Sequence, residues 1–325
     1  MLDIRNLFVA AAMARYLKAL PKLKTPVMDA IFTNRPQHPF AIIGADMLIP
    51  VVHEMPVIKR GAPSIPATKE TGSINFYEPF PIRPNAFVTA TDLNNLKLLG
   101  VSSREKWAQG RTDLLRRGIR KTTEAMCAVS LCGRLEWPVK LEGGGWETYD
   151  VDYGTILSVN PARLWDAADT KILHIFDTLT QMQEAIEEWG YGSTVEVWCG
   201  KTAYNAVFAV AENSRTTAKL RVEITDQGIN IGGFLVKRRA EKYRHPQTGV
   251  MTPIVGDKVC RMIATDAGHF MPYCAIDDLD GNLQPMPMFV KPIKKDDPSG
   301  YKLIGDSKPF PVPNVKGVCD ATVTG

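Results

Sequence analysis

Cysteine motifs and long apolar runs are both missing from this 325-residue sequence. No two of its cysteines form a CxxC pair, and none has histidine partners at metal spacing, which favours free thiols in a reducing compartment over a disulfide framework or a zinc site. The six are Cys127, Cys132, Cys199, Cys260, Cys274 and Cys319. No apolar run approaches the roughly 20 residues of a membrane-spanning helix, and residues 7–14 are too short and too closely flanked by charge for an export signal. We therefore expect a protein made in the cytoplasm that does not contact a membrane.

A strong excess of charge of either sign is also absent. The chain carries 39 Lys and Arg against 35 Asp and Glu, a net charge of +4. This small excess does not indicate the concentrated basic face of a dedicated nucleic-acid-binding domain, and it leaves non-specific contact with DNA open. The length allows one large domain or two moderate domains, each with a core of its own.

Motifs of known catalytic chemistry are incomplete. Gly200, Lys201 and Thr202 follow a predicted strand and open a helix, as a phosphate-binding P-loop does, but the first glycine of that motif is replaced by Val195. The five histidines form no HExxH pattern, and no GxSxG elbow is present. The acidic residues around Asp280 predict a turn, since the glutamate that completes a calcium loop is missing. We expect no catalytic, cofactor-binding or metal-binding residue.

A single long helix over residues 102–133 dominates what is present. Ser102 and Glu105 predict a capping box at its start, and Gly133 predicts its end. At about 1.5 Å per residue this helix is roughly 45 Å long, which suits a spine that carries separate pieces. Its predicted apolar stripe comprises Trp107, Leu114, Leu115, Ile119, Met126 and Val129. Its opposite, predicted basic and solvated face comprises Arg104, Arg111, Arg116, Arg117, Arg120 and Lys121.

The chain before this spine helix has few regularly spaced apolar residues that could form a core of its own. Residues 2–20 predict an amphipathic helix that ends at Pro21, and residues 22–39 predict an extended arm. Residues 51–84 alternate short apolar stretches with prolines, which predicts a projecting hairpin with its tip at residues 59–61. Such a hairpin needs another chain to pack against. Its candidate contact residues are Ile58, Lys59, Arg60, Ile65, Ile74 and Phe76.

The chain after the spine helix predicts an α+β arrangement. Residues 135–153 predict two strands around a turn at residues 143–145, and residues 157–189 predict helix. A buried strand, a helix and a series of short strands follow; the predicted ranges are 195–198, 202–212 and 222–275. Extended runs in the tail lie at residues 286–290, 301–304 and 318–323.

Several stretches in this order resemble the major capsid proteins of tailed bacteriophages, in particular their lambda-type branch. VEVWCGKTAYNAVF at residues 195–208 resembles that family's strand, small turn and aromatic-bearing helix. The following strands and the closing tail are similar as well, and together the stretches span nearly the whole chain. They are GFLV at 233–236 through YR at 243–244, VGD at 255–257, FMPYCA at 270–275, VKP at 290–292, YKL at 301–303 and SKPFPV at 307–312.

This resemblance implies the α+β Hong Kong 97-like capsid fold. The implied divisions are an N-terminal arm, an extended hairpin or E-loop, a peripheral domain with the spine helix, an axial α/β domain, and return strands of the peripheral domain. Their expected ranges are 1–50, 51–90, 91–153, 154–285 and 286–325.

The resemblance also implies a function without catalysis. The expected protein is a major capsid protein whose copies form pentamers and hexamers that close an icosahedral shell around double-stranded DNA. The implied partners are other copies of the chain, a scaffolding protein, a portal protein, a decoration protein, and DNA held at the inner face without sequence specificity. The expected location is the virion capsid, after assembly in the host cytoplasm.

Two alternatives remain open from the residues. An encapsulin-like compartment shell has the same fold, and a cytoplasmic α/β enzyme would have a site near Lys201 with Asp226 or Asp257. The basic side chains of Arg116, Arg117 and Arg120 either contact a neighbouring subunit or are simply solvated.

Overall fold

The computed structural model describes residues 4–44, 76–98, 100–214 and 220–325. The α-helices are α1 Ala10–Ala19, α2 Pro26–Ala30, α3 Ala90–Lys97, α4 Val101–Ser130, α5 Ile172–Glu187 and α6 Lys201–Ser214. The strands of the first half are β1 Gln37–His38, β2 Ile43–Gly44, β3 Phe76–Tyr77, β4 Asn85–Thr89, β5 Arg134–Lys140, β6 Trp146–Asp152, β7 Leu157–Ser158 and β8 Val195–Cys199. Those of the second half are β9 Val222–Thr225, β10 Gly228–Ile231, β11 Phe234–Arg238, β12 Lys242–Arg244, β13 Met251–Pro253, β14 Val259–Ala264, β15 Tyr273–Cys274, β16 Phe289–Lys295, β17 Gly300–Asp306 and β18 Val318–Thr322.

The spine helix predicted over residues 102–133 is α4. Its end is built as the sequence predicts, but its start is not. Gly133 adopts a φ of +86°, the left-handed conformation that ends helices, and a Cβ there would overlap the carbonyl oxygen of Gly154. The predicted capping box is wrong, because the helix already begins at Val101 and its N-cap, Gly100, has no side chain to cap with. The side chain of Glu105 pairs with Arg15 instead, at 2.8 Å.

The buried face of α4 follows the helical period but is turned slightly from the predicted stripe. Leu115, Ile119 and Met126 are buried as predicted, whereas Leu114 is 56% exposed. Adjacent residues point about 100° apart around a helix, and here Leu115 faces the core while Leu114 lies outside the buried face. The buried face instead includes the small residue Ala108, which lies in the same apolar cluster as α1.

The N-terminal segment packs on the spine helix of its own chain. Helix α1 ends at Ala19, just before Pro21, in agreement with the sequence. The prediction that residues 22–39 are extended is wrong, because α2 forms within them, with Pro26 at its first turn. Val27, Met28, Ile31 and Phe32 are fully or almost fully buried against the C-terminal half of α4 and the main sheet; this apolar cluster includes Cys127, Leu131 and Trp198.

The main sheet has seven strands in the order β7-β18-β14-β8-β11-β10-β9. Because side chains alternate along β8, Val197 and Cys199 face α5 and α6, while Trp198 faces α2 and the end of α4. The sheet is therefore covered by helices on both faces. Helix is confirmed only for the later part of residues 157–189; helix over 157–171 is wrong, since Leu157–Ser158 pairs in parallel with β18 and Pro161 follows.

The tail strands divide between two sheets. Strands β16, β17 and β4 form a three-stranded antiparallel sheet that packs on the N-terminal half of α4 and on α1. Strand β18 leaves this group and lies between β7 and β14 in the seven-stranded sheet. The grouping of all return strands over 286–325 with the spine helix therefore does not hold for this last strand. Its consecutive residues Val318 and Cys319 are both buried, in clusters on opposite faces, which suits a sheet covered on both faces.

In the described chain, four two-stranded pairs lie outside these two sheets: β1 with β15 in parallel, and β12–β13, β5–β6 and β2–β3 antiparallel. Strands β5 and β6 pair antiparallel from Arg134↔Asp152 to Lys140↔Trp146, around the predicted glycine turn. Strands β2 and β3 also pair antiparallel, with Ile43 opposite Tyr77 and Gly44 opposite Phe76. The predicted hairpin tip at 59–61 and the candidate residues Ile58, Lys59, Arg60, Ile65 and Ile74 lie outside the described residues.

Candidate intersubunit surfaces

The arm is fixed to the spine helix by a buried carboxylate. Glu124 accepts hydrogen bonds from the backbone amides of Val27 at 2.7 Å and Met28 at 2.9 Å. These amides belong to the first turn of α2, which has no intrahelical acceptors for them, so Glu124 acts as the cap of that helix. Burial raises the pKa of the Glu124 carboxyl, against the opposing effect of the two amides.

Two of the three candidate arginines are engaged by the same arm. Arg116 donates to the carbonyl oxygen of Pro21 at 2.8 Å and pairs with Asp113, and only 13% of its side chain is exposed. Arg120 donates to the Thr25 hydroxyl at 3.1 Å. Arg117 is half-exposed and pairs with Asp113 at 2.7 Å. The expectation of a fully solvated basic face is therefore wrong for Arg116, whose contacts lie within its own chain. Contact of any of the three with a neighbouring subunit stays a prediction.

The base of the predicted hairpin exposes aromatic surface. Phe76 is 61% exposed on β3, whereas the next residue, Tyr77, stacks on Phe310 with ring centroids 6.2 Å apart. Phe80 packs edge-on against Tyr149, at 4.9 Å between centroids, and is itself partly exposed. Of the candidate contact residues on this hairpin, Phe76 is the one within the described chain, and none of the described residues buries it.

A cleft of about 490 Å³ lies between the arm, the spine helix and the β12–β13 hairpin. Its apolar floor includes Trp137 and Ile254, both buried, with the ring of Tyr243 5.9 Å from that of Trp137. Exposed Lys121 and Lys242 border it. Sequence analysis did not predict this cleft, because its walls come from three segments that are far apart in the chain.

The cationic border of the cleft is only partly neutralised. Lys24, Lys121, Lys242 and Arg244 line it, with two carboxylates among them. Both carboxylates already have partners: Glu124 binds the α2 amides and Glu241 pairs with Lys24 at 3.1 Å. Lys121 and Lys242 make no ion pair with any residue in the described part of the chain.

The P-loop-like segment is occupied by its own chain. The amides of Thr202 and Ala203 donate to the carbonyl oxygen of Asp257 at 2.9 and 3.0 Å, so the first turn of α6 does not offer them to a phosphate. A Cβ at Gly200 would overlap the carbonyl oxygen of Gly256. Gly200 is thus required for close backbone approach, which explains the glycine without a nucleotide.

Other candidate chemistry is structural. The Asp280 region is the predicted turn, in which Lys291 bridges Asp278 at 2.6 Å and Asp280 at 3.1 Å. Within the described ranges no group of histidine, cysteine and carboxylate side chains could hold a metal ion. None of the helices described is long and apolar enough to cross a membrane.

His269 is a buried histidine whose pKa departs from its ordinary value. His269 is 3% exposed, its Nδ1 accepts from the Asn314 amide, and its Nε2 lies 3.0 Å from the Ala264 carbonyl oxygen. Because Nδ1 accepts a hydrogen bond, the proton of the neutral ring is on Nε2. Burial lowers the pKa of His269 to about 4. The neutral ring of His269 thus connects Ala264, at the end of β14, to Asn314 in the tail through two hydrogen bonds.

Comparison with solved structures identifies the fold. A protein assigned as the capsid protein of a prophage of E. coli CFT073 is 14% identical, with 97% of this chain and 98% of that chain covered and a TM-score of 0.63. A phage-related protein from Bordetella bronchiseptica RB50 is 11% identical, with 98% of each chain covered and a TM-score of 0.53. No curated protein matches the sequence significantly. The fold is that of Hong Kong 97-like phage capsid subunits, as the sequence predicted.

The sequence profile of the family described as phage major capsid protein E matches residues 9–323. The chain belongs to this family. It is a capsid shell protein of the phage virion, and its family consists of structural proteins, not enzymes. The predicted resemblance to phage major capsid proteins is confirmed.

Proposed function

We propose that copies of this chain assemble as pentamers and hexamers into an icosahedral shell that encloses the double-stranded DNA genome of a tailed phage or prophage. The observation that carries this proposal is the family match over residues 9–323. The exposed Phe76 and the cationic cleft support it, because both are surfaces that the described part of the subunit leaves uncovered.

The same proposal includes the division of the subunit and its partners. The peripheral part would consist of α4, the β5–β6 hairpin and the three-stranded sheet, and the axial part of the seven-stranded sheet with α5 and α6. A scaffolding protein, a portal protein and a decoration protein would bind the assembling shell, which forms in the host cytoplasm. The DNA would lie against the inner face through non-specific phosphate contacts.

Electron microscopy and light scattering of the purified chain test this proposal. We expect closed shells, or rings of five and six subunits, when the chain is expressed alone or with the products of neighbouring genes. Shells that hold a protein cargo and no nucleic acid in infected or induced cells would point to a compartment shell instead. A strictly monomeric protein under every condition would refute self-assembly.

A further inference from the structure

The tip of the β5–β6 hairpin is an exposed acidic and apolar protrusion, here called the knob, residues 141–147. Leu141 is 45% exposed and Trp146 is 39% exposed, although both are large apolar side chains. Glu142 and Glu147 flank them and make no ion pair within the ranges that the structure describes. A Cβ added at Gly143 or Gly144 would meet nothing within 4 Å, so the turn of the knob is open at these positions.

The cleft described above has the opposite chemistry. Its floor presents Trp137, Tyr243 and Ile254, and its border presents Lys121 and Lys242, whose charges are unpaired in the described part of the chain. Unpaired carboxylates beside exposed apolar side chains on the knob thus match unpaired ammonium groups beside an apolar floor in the cleft. This charge complementarity is the kind that fixes register and partner choice in protein interfaces.

The knob cannot fill the cleft of its own subunit. Trp137, in the cleft floor, and Leu141, at the start of the knob, lie on the same strand region four residues apart. At about 3.3 Å per residue, the knob begins about 13 Å beyond this part of the floor. Strand β5 is paired with β6 over its whole length and cannot fold back. A knob that fills this cleft is therefore the knob of another copy of the chain.

We propose that the knob of one copy inserts into the cleft of a second copy of this chain. Trp146 and Leu141 would cover the apolar floor, and Glu142 and Glu147 would face Lys121 and Lys242. This inference rests on the proposed self-assembly, and it adds a particular contact to it. The contact joins two different patches, so it is heterologous: repeated around an axis it closes a ring, and it leaves no subunit with a special role.

A double-mutant cycle tests the contact, in which the charges of the knob, of the cleft and of both together are reversed. One variant combines Glu142→Lys with Glu147→Lys, a second combines Lys121→Glu with Lys242→Glu, and a third contains all four changes. Sedimentation velocity at several salt concentrations measures the self-association of each full-length chain. We expect each two-site variant to require at least about tenfold more protein to associate, and the four-site variant to return to within about threefold of wild type.

A matched control separates the contact from general charge effects. Glu184→Lys with Glu188→Lys makes the same change of net charge as the Glu142→Lys, Glu147→Lys variant, at two exposed positions on α5 and just after its end, far from knob and cleft in sequence. It should leave association unchanged. Trp146→Ser removes apolar surface without a change of charge and should weaken association while the chain stays folded, which keeps the test valid where a charge variant fails to fold.

The outcomes distinguish this contact from the proposed function. If both two-site variants form shells as wild type does, the knob does not bind the cleft, although the shell function stands. If both lose association while folded and the four-site variant does not recover it, the two patches act separately and the contact is refuted. Wild type could instead form open, salt-sensitive oligomers that each two-site variant weakens and the four-site variant restores. That result would support the contact and refute the closed shell. A wild type that never associates refutes both.

Discussion

The carboxylate of Glu124 accepts a hydrogen bond of 2.7 Å from the backbone amide of Val27, a residue 97 positions earlier in the chain. This contact makes a short helix stable in a segment that has no strong helical pattern of its own. It also attaches the arm to the C-terminal half of the spine helix.

Removal of this cap should release the arm. In Glu124→Ala the amides of Val27 and Met28 lose their acceptor while they remain buried, so we expect the free energy of unfolding to fall by about 2 to 3 kcal/mol. Chemical denaturation measures this loss. Glu105→Ala removes only the exposed pair with Arg15 and should cost less than about 1 kcal/mol. Equal losses in the two variants would show that Glu124 is not a special anchor.

Acid should destabilise the subunit through His269. The pKa of His269 in the folded chain is about 4, below its ordinary value of 6.5. Between these values the unfolded chain binds more protons than the folded chain, so stability falls as the pH falls from 6.5 to 4, by up to about 3 kcal/mol. Protonation would place a second N–H at Nδ1, which faces the Asn314 amide.

Denaturation curves between pH 7 and pH 4 check this expectation. His269→Gln should have lower stability at pH 7 and a weaker pH dependence over this range, since the side chain no longer titrates. His245→Gln, in the turn between β12 and β13, is the control and should keep the wild-type dependence. A wild-type slope in His269→Gln would assign the effect to other groups.

Two glycine-to-alanine changes should have opposite effects on the stability of the subunit. Gly110 lies within α4 and an added Cβ there meets nothing within 4 Å, so Gly110→Ala should raise stability by about 0.5 to 1 kcal/mol. In Gly200→Ala the Cβ would overlap the Gly256 carbonyl oxygen and the Asp257 backbone, and we expect a loss of at least about 2 kcal/mol. Melting temperatures measure both, and a tolerated Gly200→Ala would contradict the packing of α6 against this turn.

Phe76 should contribute to assembly and not to the fold. Because its side chain is mostly exposed, Phe76→Ser should change the free energy of unfolding by less than about 0.5 kcal/mol and should weaken shell formation, as seen by light scattering. Tyr77→Ser is the contrasting variant, since Tyr77 stacks on Phe310 and its loss should lower monomer stability. An unstable Phe76→Ser monomer would place this ring in the subunit's own core.

Local pattern was enough to predict several elements. The apolar period of residues 172–187, the strand at Val195–Cys199 with its following helix, and the glycine turn of the β5–β6 hairpin are confirmed. Each depends on residues within a few positions of one another, as helical and hairpin signals do. The confirmed resemblance to phage capsid proteins came from the order of such stretches along the chain.

Sequence alone thus determined the spine helix, the strand-to-helix passage and the absence of a complete nucleotide motif. Tertiary structure decided what those elements contact. Only the fold brings Glu124 to α2, places β18 between β7 and β14, and joins Lys24, Lys121 and Lys242 around one cleft. The physical reason is that long-range packing decides which distant segments form a helix cap, a strand pair or a cleft. Such contacts produce no periodic pattern of apolar residues in the sequence.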